Sequence, residues 1–335
     1  MLDIELDETQ TQIVDSLRRA LPPLNAGSHS SGSLSDLNEL AGLGTFLLGV
    51  DEEKGGIGFS LLEEVVAYRE LGRACTDPTV LAQTMGVHLA MSIGRSDLAA
   101  SFGDATVRVS MAPEDNRADG GTDTLYIVNG DEDGWLLSIN PYKMRLLPIS
   151  AIEAREKLEP TDDRLKVERA RILQDAPNEL ALTSEKLSIK MMILASAMLV
   201  GASEGARDQA VEYSKLRKQF GEFIGAFQAI KHKCADMAVR SEAAWCLTVQ
   251  AAFDALDEIP GASSSVASAV RLALGAAKRN AEENIQIHGG IGFTDECSAH
   301  LFLKHALAIE QLWLALYAPY YMSDACRLPR MDRND

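Results

Sequence analysis

Arg217-Lys218-Gln219-Phe220-Gly221, followed by Phe227-Gln228-Ala229-Ile230-Lys231-His232 and later by Ile285-Gln286-Ile287-His288-Gly289-Gly290, is the stretch on which the reading of this chain turns. It combines four kinds of group. Arg217 is a permanently charged fork that can pair a phosphate in bidentate fashion. Phe220 offers a ring, Gln286 an amide that donates and accepts, and Gly289-Gly290 a corner where backbone can approach a ligand closely. Together they suit a dinucleotide cofactor. Helix-length segments lie between the first cluster and the last, so a helical hairpin would bring them together.

The surrounding pattern is helical from about Leu180 to the end. Met191 to Val200 is apolar on every side, as in a helix enclosed by others. Phe223, Phe227, Ile230, Cys234 and Met237 step by four and three, which predicts a seam against a neighbouring helix. The segment Ser263 to Ile287 is rich in Ala and Val, with Arg271, Lys278 and Arg279 on another side. A last helix from Ala299 to Leu316 buries Phe302, Ala306, Ile309, Leu312 and Leu316. Four such helices make an antiparallel bundle with crossings near 20°.

Upstream the composition changes twice. Short β-prone runs occupy Thr106–Met111, Thr124–Val128, Trp135–Ile139 and Met144–Ile149, with Leu165–Glu168 as a fifth, and predict a small β domain. Before them the chain is helical. Asp7-Glu8-Thr9 opens a helix with Ile13, Leu17 and Leu21 on one face, and Pro22-Pro23 ends it. Residues 24–34 form a polar loop in which His29 is solvated, and a second helix runs to about Gly42. Residues 49–58 read as a long turn. Ser60 caps a helix that buries Leu61, Leu62, Val65, Val66 and Leu71. Asp77-Pro78 restarts another, with His88 as a satisfied core histidine. The expected domains are 1–104 (helical), 105–179 (trimmed β), 180–325 (four-helix bundle) and a tail, 326–335.

Of the 335 residues, 46% are hydrophobic, enough for a large core, and the net charge of −17 disfavours nucleic acid or an anionic membrane as partner. The five cysteines (Cys75, Cys234, Cys246, Cys297, Cys326) read as reduced core thiols. The N-terminus is acidic where a signal peptide needs positive charge. The apolar run from Met191 to Ala202 is shorter than the roughly 20 residues of a membrane span. The expectation is a cytoplasmic protein without membrane insertion. His232, His288, His300 and His305 lack companions at ligand spacing, so no metal site is expected.

Helical domain, small β domain, helix bundle: with Arg-Lys-Gln-Phe-Gly, Phe-Gln-Ala-Ile-Lys-His and Ile-Gln-Ile-His-Gly-Gly-Ile-Gly-Phe-Thr in this order, the chain resembles the acyl-CoA dehydrogenase family. The turn Glu53-Lys54-Gly55-Gly56-Ile57-Gly58 is a weaker match. The resemblance implies a mainly α fold with a small middle β domain, FAD as cofactor, an acyl-CoA substrate and an electron-accepting flavoprotein. It implies that Arg217 pairs the pyrophosphate with Gln219 and Phe220 beside it, and that Gln286, Gly289 and Gly290 line the adenosine side. FAD in that family lies between two subunits, so oligomerisation follows. The chemistry it implies is removal of two hydrogens from an acyl thioester, an α-proton to a carboxylate and a β-hydride to the flavin.

The sequence departs from that pattern twice. The family's usual catalytic Glu falls at Trp313, and the alternative base position falls near Met191; neither side chain accepts a proton. Glu310, one helical turn before Trp313, is the nearby substitute, or else a solvated helix glutamate. In the β domain, Ser110-Met111-Ala112-Pro113-Glu114-Asp115-Asn116 stands where members that hold the flavin ring have Thr-Glu-Pro…Gly-Ser-Asp, and nothing matches their Trp-x-Thr strand. Both losses strike the flavin-ring half of the site. They resemble one subunit of an α2β2 assembly, as in bacterial steroid side-chain breakdown, whose vacant site Trp313 would plug. A self-sufficient homo-oligomer using Glu310 or an unrecognised carboxylate, and a flavin-free scaffold, are the alternatives.

Overall fold

The computed structural model describes residues 5–21, 24, 35–114, 124–140, 143–173, 180–182, 184–259 and 261–322. Its axis is helix α6, Glu185–Leu216, whose 32 residues span about 48 Å at 1.5 Å each. Every residue from Met191 to Ala206 is buried, so the helix is enclosed on all sides, as its all-round apolar sequence demands. By length and composition α6 could cross a membrane, yet 89% of its apolar window is buried against the rest of the protein.

Around α6 stand α3 (Leu61–Arg73), α7 (Gln228–Leu256), α8 (Ala262–His288) and α9 (Ala299–Met322). The approach of α3 to α6 is close because glycines meet there. A Cβ built on Gly201 would lie 1.8 Å from the Arg69 carbonyl oxygen, and one on Gly72 would lie 1.9 Å from that of Met198. Charge fastens the same face: Arg69 donates twice to the buried Glu204, at 2.8 and 2.6 Å, and packs 4.2 Å over the Trp245 ring. Arg18, in α1 (Glu8–Ala20), makes the matching bidentate pair with the buried Glu70, at 2.7 and 2.9 Å.

The remaining N-terminal elements are α2 (Ser35–Gly42), α4 (Val80–Ser92) and α5 (Ser96–Gly103). Capping boxes at Asp7 and Ser60 begin α1 and α3 where the sequence placed them. The long turn at 49–58 contains one 3-10 turn, Glu52–Lys54. His29, Pro22-Pro23, Cys326 and the 326–335 tail lie outside the described residues.

The middle of the chain is one seven-stranded sheet: β1 Val109–Pro113, β2 Thr124–Val128, β3 Trp135–Ile139, β4 Met144–Pro148, β5 Ile152–Leu158, β6 Val167–Ile172 and β7 Leu180–Leu182. The spatial order is β5-β6-β2-β1-β3-β4-β7, parallel between β1 and β3 and antiparallel elsewhere. The strands depart from the sequence expectation in four places. Strand β1 starts three residues later than Thr106. The expected Leu165–Glu168 strand is β6, shifted toward Ile172. Strand β5 was not foreseen. Leu180, taken as the start of the bundle, pairs with Leu146 in the sheet, and the helix starts at Glu185.

The seam from Phe223 to Met237 also holds only in its second half. Phe223 lies in a hairpin and Phe227 precedes α7, and both are exposed; Met237 is buried, with Ile230 and Cys234 packed beside it. Of the cysteines, Cys75 is buried while Cys234, Cys246 and Cys297 are half-buried thiols.

Candidate cofactor site at one end of the bundle

Helix α6 stops at Leu216, and Arg217 turns to extended backbone while its N–H still reaches the Tyr213 carbonyl at 2.9 Å. A two-stranded hairpin follows, β8 (Lys218–Gln219) pairing antiparallel with β9 (Glu222–Phe223). Both residues of its turn have positive φ, Phe220 at 55° and Gly221 at 84°, as a two-residue turn of the primed kind requires. Glycine takes this conformation freely. For phenylalanine it costs on the order of 1–3 kcal/mol and pins the ring outward. Phe220 is 93% exposed, with only the edge of Phe227 near it, at 6.3 Å between ring centroids. The Arg217 guanidinium is exposed and has no ion pair with any described residue. The hairpin is anchored by Ile224, whose N–H donates to the Arg217 carbonyl at 2.8 Å and whose side chain packs with Ala210, Met237 and Ile287.

Ile287 belongs to α8, and that packing puts the second motif at the same end of the bundle. Gln286 is exposed between buried Ile285 and Ile287. Gly289 ends α8 at φ 67°, ψ −145°, a backbone open only to glycine. Neither Gly289 nor Gly290 has an atom within 4 Å of a built Cβ. A 3-10 turn, Gly289–Phe293, completes the corner and leaves Phe293 74% exposed. Arg217, Gln219, Phe220, Gln286, Gly289 and Gly290 therefore all face solvent at one end of the molecule. Leu216, Phe223, Phe227 and Ile291 are exposed there too, an apolar surface of the kind that meets a partner.

Two contacts hold the motifs together that motif reading does not supply. Tyr213 of α6 stacks on His288 of α8, ring centroids 4.0 Å apart. One turn earlier on each helix, Asn284 Nδ2 donates to Gln209 Oε1 at 2.7 Å. The signal available in sequence was the spacing: both helices carry polar or aromatic residues four apart on a face that is otherwise apolar.

The base position near Met191 is closed. Met191 is fully buried in the main core. Its neighbour Lys190 donates to the buried Glu64 at 2.6 Å, and His88 contacts Glu64 at 2.7 Å. His88 is thus satisfied, by a buried carboxylate that Lys190 also pairs. Burial alone would raise the Glu64 carboxyl; His88 and Lys190 instead hold it at about 2, too acidic for a base near neutral pH. Glu310 is not freely solvated. It is three-quarters covered and paired with Lys278 at 3.0 Å. Trp313 lies in α9, and its side chain is outside the described residues.

The sheet is equally closed where a flavin-ring loop was sought. Glu114, just past β1, is buried and accepts from Ser138 Oγ at 2.6 Å, from Asn140 Nδ2 at 2.7 Å and from Arg145. Residues 129–134 alone link β2 to β3, so no further strand fits between them. Asp115 and Asn116 lie outside the described residues. A cavity of about 490 Å³, walled by Phe59, Leu61, Ile189, Lys190, Leu256 and Ile259, opens at the other end of the bundle. Along α6 its Lys190 is about 40 Å from Arg217. Among the described residues no His, Cys, Asp and Glu cluster is arranged for a metal.

Comparison with known proteins matches residues 7–108 to the acyl-CoA dehydrogenase N-terminal domain and residues 189–312 to the acyl-CoA dehydrogenase C-terminal domain. Acyl-CoA dehydrogenase IpdE2 of Mycobacterium tuberculosis is 31% identical over 81% of this chain and 79% of its own length. The chain belongs to the acyl-CoA dehydrogenase family. Members of this family are oxidoreductases acting on CH–CH bonds. Acyl-CoA dehydrogenase FadE34 of the same organism is 34% identical over 81% of this chain, which spans only 39% of that longer protein. A solved ChsE4–ChsE5 complex from Mycobacterium tuberculosis shares the fold, with TM-score 0.76 at 20% identity, over 94% of this chain and 95% of the other.

Proposed function

We propose that this chain is the subunit of a heteromeric acyl-CoA dehydrogenase that clamps the adenosine and pyrophosphate of FAD, while a paralogous chain supplies the flavin-ring contacts and the base. The observation that carries this reading is an asymmetry within one molecule. The bundle end is open, with Arg217 in no ion pair among the described residues, Phe220 held outward at positive φ and glycines that leave room for a ligand. The ring side is filled from within, with Glu114 saturated by three donors and Met191 in the core.

Half of FAD fits the residues present. Arg217 would pair the pyrophosphate, with Gln219 and Phe220 beside it, and Gln286, Gly289 and Gly290 would line the adenosine. When bound, FAD accepts the hydride that leaves the acyl β-carbon. Neither Met191 nor Trp313 takes the α-proton, and Glu310 is committed to Lys278, so the base belongs to the other chain. The fold likeness to a complex of two differently named chains supports pairing of this kind. The substrate is an acyl-CoA thioester, of the fatty or steroid side-chain class, and the reduced flavin passes its electrons to a flavoprotein.

The visible spectrum of the purified chain tests the proposal. A colourless protein that acquires flavin absorbance and acyl-CoA oxidation only when co-expressed with its paralogue is the expected result. A yellow chain that oxidises acyl-CoA alone would sink it.

A further inference from the structure

We propose that Tyr213, with Gln209, is a positioning residue that fixes the Arg217 hairpin against the Gly289 corner, so that the two halves of the clamp move as one body; this rests on the clamp reading above. Covalently the two halves are far apart. The hairpin follows α6 and the corner follows α8, with all of α7 between them. The ends of two long helices are where helices fray, and each half has little of its own to hold it: two paired residues per strand in the hairpin, and five residues in the turn at 289–293.

Beside the packing of Ile224 with Ile287, what joins them is a ladder of two rungs. Gln209 and Tyr213 stand one turn apart on α6, and Asn284 and His288 stand one turn apart on α8, so each pair shares a face. The lower rung is Asn284 Nδ2 donating to Gln209 Oε1 at 2.7 Å. The upper rung is the Tyr213–His288 stack, 4.0 Å between centroids and 25° between planes, with the Tyr213 hydroxyl 3.5 Å from the His288 carbonyl. His288 cannot swing, because its Nδ1–H donates to the Asn284 carbonyl at 2.9 Å and the ring is buried. The ladder is also footed. Gln209 Nε2 donates to Ser298 Oγ at 2.7 Å, and Ser298 Oγ donates to the Leu24 carbonyl at 3.1 Å, which ties it to the start of α9 and to the chain beyond α1.

Above the upper rung both chains leave their helices at once. Arg217 is four residues past Tyr213, its N–H bonded to the Tyr213 carbonyl, and Gly289 is the residue after His288. A shift of the stack is therefore passed directly to the guanidinium on one side and to the glycine corner on the other. A ligand that touches both halves needs their separation set before it arrives.

Amide hydrogen exchange on the full chain tests this without flavin or a partner. Tyr213→Leu keeps bulk and removes the stack; it should speed exchange in both 217–227 and 289–293 by about tenfold, leaving the α3–α6 core at the parent rate. Tyr213→Phe keeps the stack and should stay within threefold of the parent in both segments. Equal behaviour of the two variants, or acceleration confined to 217–227, overturns the proposal. Should Tyr213→Leu fail to fold, Gln209→Ala removes the lower rung, and unchanged exchange in either segment is then the contrary result. FAD retention in the flavin-loaded assembly separates this from the clamp itself. Loss with Arg217→Ala but not with Tyr213→Leu removes the positioning role alone. No loss with Arg217→Ala removes the clamp and leaves the exchange result standing.

Discussion

The two regions proposed as the halves of a flavin site are built in opposite ways in this chain. At the end of the bundle, polar and aromatic groups are left unspent: Arg217 has no ion-pair partner among the described residues, and Phe220 sits in solvent on strained backbone. At the end of the sheet and near the start of α6 the reverse holds. Glu114 is satisfied by three donors, and Met191 and Lys190 are packed or paired. A group kept strained or unpaired awaits something outside the chain, whereas a group satisfied within it does not. On the proposed reading one region serves a partner and a ligand and the other stability, and changes in the two should separate cleanly into binding effects and folding effects.

The largest effect is expected deep in the closed region. His305 of α9 is fully buried with neither ring nitrogen bonded to a described residue. Burial, with the Arg164 guanidinium nearby and opposed by Asp162, pushes it down to about 3. The unfolded chain takes up this proton below about pH 6.5, while the folded chain does not until about 3, so stability is lost as pH falls through that window. The loss approaches about 4 kcal/mol at its lower end. Denaturant titrations from pH 7 to 4 should show a shallower decline for His305→Gln than for the parent.

Methyl groups added at two glycines sharpen the comparison. Gly201→Ala drives a Cβ into the Arg69 carbonyl and should lower stability by about 3 kcal/mol. Gly290→Ala meets open space, so stability should stay within about 0.5 kcal/mol while FAD retention falls. Thermal melts read the first, and flavin content reads the second.

Charge removal should divide the same way. Glu114→Ala removes the buried carboxylate shared by Ser138, Asn140 and Arg145 and should cost about 3 kcal/mol of stability. Arg217→Ala should leave the melt unchanged and weaken FAD binding by about 10- to 100-fold, the loss expected for one charge-assisted contact. If Arg217→Ala destabilised the fold while leaving flavin bound, the comparison would break. The smallest effect belongs to Glu310→Gln. It removes a partly exposed pair with Lys278, worth less than about 1 kcal/mol, and should leave turnover of the flavin-loaded assembly within twofold.

The open region was the more legible of the two in sequence, and the reason is locality. Arg217 to Gly221 and Gln286 to Gly290 are short runs whose residue types carry their chemistry with them, and the capping boxes at Asp7 and Ser60 are equally local. What escaped depends on distant partners. Strand β5 carries Glu153, Arg155, Glu156 and Lys157 because it is an edge strand, and such charge erases the alternation by which a strand is recognised. Strand β7 is three residues that become a strand only by pairing with β4. Phe223 and Phe227 have the spacing of a buried helix face but precede the helix, so the same period marks exposed rings instead. The Glu114 cluster draws its donors from β3, β4 and the turn between them, and the Tyr213–His288 stack joins helices 75 residues apart in sequence.

A structure of the flavin-loaded assembly tests the central claim most directly. The expected result is FAD with its pyrophosphate against Arg217 of this chain and its isoalloxazine ring on the β domain of the paralogous chain. An isoalloxazine ring seated in this chain's own sheet, beside a displaced Glu114 and Arg145, would contradict it.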